Sequence, residues 1–232
     1  IEAVGNDITE PPDAVVIDLG GKFIYPGLID LYTHYGISEN LPEAPGSGSL
    51  NWNIAVHPER NAAEIFKPDE NEAKALRKNG FTSVVTFPRK GIFRGYGTLV
   101  LLSDSSPNEA VLSGSIAQSI SMHERTGSYP RSLQGRMALI RQTFLDAMWY
   151  STAWEAYNKN PEGQNAPDTD LSLESLQPLT EGVRPAVFEA PDVPDIYRAS
   201  MIAGEFGLNL WVRGCGSEYR RLKSVKDSGV RL

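Results

Sequence analysis

The chain has 232 residues, with 22 Lys and Arg against 29 Asp and Glu, for a formal charge of −7; this excludes the net basic surface on which nucleic-acid binding depends. With 41% hydrophobic and 22% charged residues and a mean hydropathy of −0.30, it has the composition of a folded globular chain that can bury a sizeable core. No apolar run approaches the roughly 18 residues of a membrane-spanning helix. Residues 1–9 also lack the basic start and apolar stretch of a signal peptide. A single cysteine, Cys215, rules out an internal disulfide and a CxxC zinc pair.

In chain order, Ala14 to Asp18 and Phe23 to Leu31 are short apolar runs punctuated by Gly20-Gly21 and Pro26-Gly27, and both are predicted as strands. Residues 42–49 (PEAPGSGS) are loop chemistry. After Pro68, the segment DENEAKALRKN places acids first and bases last, as the helix dipole favours, and Gly80 stands as the terminal cap. Phe81 to Phe87 is a β-branched strand run. Gly97 to Ser103 and Ser115 to Met122 are predicted as strands and Leu133 to Tyr157 as a long helix. Asn158 to Asp170 is a polar surface segment.

Asp195 to Phe206 carries apolar residues at helical spacing, and Gly207 ends it before the strand Leu208 to Val212. Glu218 to Ser228 is a further helix, followed by Gly229 and a strand starting at Val230. Alternating helix and strand implies a parallel sheet. Ile24 to Leu31, Phe81 to Phe87, Arg184 to Phe188 and Leu208 to Val212 are therefore expected as neighbours in one curved α/β sheet. The sequence opens on a strand with nothing to pair with and stops two residues into another. The expectation is a piece of a longer polypeptide, whose open edges need another segment or subunit to cover them.

The stretch Val16 to Gly36 (VIDLGGKFIYPGLIDLYTHYG) resembles the opening segment of the amidohydrolase superfamily, in which P-G-L-I-D leads into a first barrel strand ending in H-x-H. The resemblance continues through Gly91 to Gly97 (GIFRGYG), Ser132 to Tyr150 and Arg184 to Leu222. Within the superfamily it is similar to the imidazolonepropionase-related branch and its bacterial exported proteins. The implied fold is an incomplete, distorted (β/α)₈ TIM-like barrel over residues 23–232, with insertions near 36–60, 91–130 and 158–170. Residues 1–22 would be a fragment of the small β-sandwich. A full barrel takes roughly 250 residues, more than this chain supplies.

The superfamily uses zinc or a similar ion, held by histidines and a bridging Lys or Glu, with an aspartate as general base. Against that pattern, the first histidine of H-x-H is Tyr32, leaving His34. Where relatives read approximately H-A-H-R-A-D-D-I this chain has Glu189 at the ligand histidine, and where they read approximately E-H-G-T it has Arg213-Gly214-Cys215, with Gly214 at the histidine. The aspartate would lie beyond Leu232. A catalytic zinc site normally offers three protein ligands, so no cofactor and no catalytic residue is expected here. The resemblance implies a vestigial cleft of Tyr32, His34, Arg94, Glu189, Arg213, Gly214 and Cys215, in which His34 alone is a weak metal candidate.

Among other candidates, Cys215 follows a strand and precedes a helix but has no nearby histidine to activate it. Arg89, Lys90 and Arg94 sit in a glycine-bounded loop after the second strand, where they could meet a carboxylate, and the expectation is a solvated basic loop. His57 and His123 have no partner at ligand spacing. Trp149, Tyr150, Trp154 and Tyr157 share one helix and read as packing. The functional expectation is a non-catalytic amidohydrolase-like region that scaffolds or pairs with an active half elsewhere. The alternative is an active metal-dependent hydrolase of cyclic amides or peptides, completed by sequence beyond Leu232. The exported relatives imply a bacterial periplasmic or envelope location.

Overall fold

The computed structural model describes residues 4–5, 8–9, 11–39, 48–123, 129–214 and 216–232. Two four-stranded sheets carry the fold, and the short helices α1 (Ala62–Ile65), α3 (Pro107–Ala110), α5 (Leu171–Ser175) and α6 (Gln177–Thr180) lie in its connections. In the first, β1 (Leu28–Thr33) runs parallel to β2 (Phe81–Thr86), and β4 (Thr98–Leu101) and β5 (Val111–Ser113) extend it antiparallel. In the second, β3 (Phe93–Tyr96) pairs antiparallel with β6 (Gln118–Ser121), beside which β7 (Ala186–Glu189) and β8 (Leu210–Arg213) lie parallel.

The single sheet expected from the helix and strand alternation is therefore corrected. β1 and β2 belong to one sheet, β7 and β8 to the other, and neither sheet closes on itself. The cause lies between the second strand and the long helix, where β3 and β4 follow one another with only Gly97 between them. β4 turns back antiparallel onto β2 while β3 pairs antiparallel with β6, so at Gly97 the chain passes from one sheet to the other. A Cβ at Gly97 would overlap the ring of Phe87, so the turn is available to glycine alone. Gly95, at φ +114°, lies just as close to the backbone of Arg60.

Period-2 alternation divides the second sheet into two faces. Ile120 and Phe188 point into the main core, where α4 (Leu133–Lys159) contributes Ile140, Phe144 and Ala147, and α7 (Val193–Phe206) contributes Ile196, Ala199 and Ile202. Val187 joins Val85, Phe87 and Ala117 in a small apolar cluster that unites both sheets, with Tyr32 and Trp211 packed against it. The helices begin where their capping chemistry dictates. The Ser132 side chain accepts from Gly135 N–H, and Asp192 from Asp195 N–H, each satisfying an otherwise orphaned donor. The helix after Pro68, α2 (Glu70–Lys78), is capped in the same way by Asp69.

Four elements depart from the sequence reading: the strand expected at Ala14 to Asp18 is absent, the one at Phe23 to Leu31 begins only at Leu28, and two lie near the end of the chain. Residues 14–27 form neither helix nor strand, and Val15, Val16, Ile17, Phe23 and Ile24 are exposed. β propensity alone does not hold a strand that has no neighbour to complete its hydrogen bonds. The expected strand at Val230 is an isolated bridge from Arg231 to Trp211. The helix expected over Glu218 to Ser228 is a 3₁₀ turn (Glu218–Arg221) followed by the short helix Leu222–Asp227. Among the described residues no helix is long and apolar enough to cross a membrane.

Candidate functional site

Tyr32, His34, Ser121, Glu189 and Arg213 lie at or just past the C-terminal ends of β1, β6, β7 and β8, with Ser119 from within β6 and Arg94 from β3. Tyr32 on β1 and Glu189 on β7 lie in different sheets, and Arg94 reaches both. Its Nη1 donates to the Tyr32 hydroxyl at 3.3 Å, its Nη2 lies 2.9 Å from Glu189 Oε2, and its Nε donates to the carbonyl of Gly91 at 3.3 Å. The other Glu189 oxygen, Oε1, accepts from Arg213 Nη1 at 2.8 Å. The Arg213 guanidinium also lies over the ring of Tyr32, 4.7 Å from its centroid, in cation–π range.

Tyr32 is held on every side. Its ring stacks on Phe87 at 4.5 Å, and its hydroxyl lies 2.7 Å from Ser119 Oγ. Burial pushes the phenol up to about 12, and the neighbouring Arg94 does not reverse that shift. The side chain is thus a neutral phenol at physiological pH. Burial alone would raise the Glu189 carboxyl, but Arg94, Ser121 and Arg213 overcome it and hold the group below its ordinary range. His34, one residue past β1, sets Nδ1 2.8 Å from the carbonyl of Phe87. Because a carbonyl only accepts, Nδ1 carries the proton of the neutral ring. Burial, together with Arg94 and Arg89, lowers its pKa.

The cleft brings together Tyr32, His34, Arg94, Glu189 and Arg213. Gly214 borders it, and the carboxylate of Glu218 folds over this glycine into the space that a side chain there would take. Cys215 lies outside the described residues. The expected solvated basic loop is corrected at two positions: Arg94 is buried against the Glu189 carboxylate, and Arg89 donates to the carbonyls of His34 and Ile37 and so pins the backbone that follows β1.

His57 is buried between Glu59 and the carbonyl of Ile54, a structural role. His123 has a partner that sequence spacing did not show. Its Nε2 lies 2.6 Å from the fully buried carboxylate of Asp195, which also accepts from Arg198 at 2.6 Å. The helical pattern that places Asp195 in the first turn of α7, close to the end of β6, was the one available signal. On α4, Tyr150 is buried and Trp154 touches both Tyr150 and Tyr157 edge-on, whereas Trp149 is mostly exposed.

These residues do not suit a divalent metal. Zinc needs deprotonated or lone-pair donors, yet Tyr32 keeps its proton and both Glu189 oxygens face guanidinium groups. Among the described residues no group of three His, Cys, Asp or Glu side chains could hold an ion.

The state of Tyr32 can be measured directly. The alkaline rise in ultraviolet absorbance should lose a step near 12 in Tyr32→Phe, whereas loss of a step near the unperturbed value of about 10 would contradict the burial argument. Since the folded-state value is raised, the stability this group contributes is present below about 10 and is lost as pH climbs through the raised value.

No family model matches the chain, and no curated protein matches it significantly. The crystal structure of an amidohydrolase from Thermotoga maritima MSB8 superposes on 99% of it with a TM-score of 0.80 at 25% identity, and the chain spans 61% of that protein. The two mixed sheets and their helices are thus arranged as in an amidohydrolase, and the cleft belongs to an amidohydrolase-like scaffold.

Proposed function

We propose that this chain is a non-catalytic region of the amidohydrolase lineage, of the imidazolonepropionase-related type, which scaffolds or pairs with an active half elsewhere in its polypeptide or in a complex. One observation carries the reading. The two side chains at former ligand positions, Tyr32 and Glu189, spend their polar atoms on Ser119, Ser121, Arg94 and Arg213. Metal-dependent hydrolysis requires an ion with an open position for water, and this cleft offers no ligand set for one. Pairing is supported by β1, an edge strand whose Leu28, Ile29 and Leu31 are all more than half exposed, Ile29 and Leu31 on one face, apolar surface of the kind that interfaces cover.

The test is hydrolysis of cyclic amides and dipeptides by the purified chain in the presence of zinc. No turnover above buffer is expected. Zinc-dependent turnover that disappears in His34→Ala would overturn the proposal in favour of an active hydrolase.

A further inference from the structure

We propose that the Arg94 guanidinium is an internal replacement for a metal ion, a cation belonging to the chain itself that sits between Tyr32 and Glu189 and fastens the two sheets at the cleft. The inference rests on the amidohydrolase reading only for the identity of those two positions as former ligand sites. The contacts are independent of it. One guanidinium bonds β1 through the Tyr32 hydroxyl and β7 through Glu189, and these strands share no ladder. Any ion bridging the same two side chains would have to occupy the volume this group fills.

The charge agrees with the geometry. A divalent ion would bring two positive charges, and Arg94 and Arg213 bring one each, both onto Glu189. The planar fork suits the task better than an ammonium would, because its edges aim at separate acceptors in fixed directions. Here Nε, Nη1 and Nη2 each meet a different one. With its side chain only 8% exposed, Arg94 is as enclosed as a structural ion. Its origin in β3 explains how a buried cation is held there: Arg94 falls at an irregular step of the strand, between the Phe93–Ile120 and Gly95–Ser119 pairs that tie the backbone to β6 on either side of it.

A guanidinium acting as a resident ion should be replaceable by one from solution. In Arg94→Ala, millimolar ethylguanidinium should raise the thermal midpoint saturably toward that of the unaltered chain, while propylammonium at the same concentration should leave it unchanged. The unaltered chain should respond to neither, nor to zinc. Equal stabilisation of both chains by ethylguanidinium, equal rescue by propylammonium, no rescue at all, or a zinc-induced rise in the unaltered chain would each overturn the proposal. If Arg94→Ala does not fold alone, the yield of folded protein on refolding with each additive is read in the same way. Hydrolysis by the unaltered chain would sink the non-catalytic reading and leave this rescue untouched, so the two failures are distinguishable.

Discussion

Phe144→Ala should lower folding stability by about 3–5 kcal/mol, the range for removing a buried aromatic ring from a close-packed interior. Phe144 is fully buried on α4, where its ring lies 5.4 Å from that of Phe93 on β3 and 5.1 Å from that of Phe206 at the end of α7. Three elements converge on one side chain. The alanine therefore leaves a cavity whose walls belong to a sheet and two helices, and such walls cannot all collapse inward together. The urea midpoint should fall with little change in the denaturant slope, since the surface exposed on unfolding is nearly the same. The neighbouring Leu145 is 53% exposed, and Leu145→Ala should stay within about 0.5 kcal/mol. Comparable losses at the two positions would show that α4 does not present the face described.

The three longest helices, α2, α4 and α7, were legible because their signals are local. Asp69 and Asp192 stand where caps are needed, and Gly207, at φ +65°, ends α7 as its sequence position suggests. The second, fourth and sixth strands fall within the expected runs, and the seventh and eighth extend one residue past theirs. Sheet membership was not legible, because it depends on which strands pair, and the β3 to β4 passage at Gly97 leaves no periodic trace. The short strand β3 itself, FRGY, contains a charge and a glycine and reads as loop.

The candidate site divides in the same way. Tyr32, Glu189 and Gly214 were singled out by departure from a family pattern and His34 by agreement with it, and such a pattern records only single positions. What took the place of the ligand set could not be seen. Arg94 lies 62 residues from Tyr32, and His123 lies 72 from Asp195. No local rule connects residues at such separations. Only the folded register, which sets Ser121 of β6 opposite Glu189 of β7 and Ser119 one pair earlier on the same face, opposite Val187, shows that the polar residues form one network.

Removal of Arg94 should expose how much that network contributes. Breaking a buried ion pair by deleting one partner costs roughly 3–5 kcal/mol when the remaining charge is stranded. In Arg94→Met, Glu189 keeps Arg213 and Ser121, which places the expected loss nearer about 2–3 kcal/mol. Methionine preserves most of the apolar stem, so the loss reports the guanidinium rather than a cavity. Its pH dependence follows from the lowered pKa of Glu189. A depressed carboxyl contributes stability above its ordinary value of about 4.3, and that contribution fades as pH falls through the lowered value. The gap between the two chains should therefore be full at neutral pH and shrink in acid. Since both side chains are largely enclosed, about 1 M salt should reduce it little, because screening acts chiefly on exposed charges. A gap that stays constant from neutral to acid pH would mean that the stem, and not the charge, holds the cleft together.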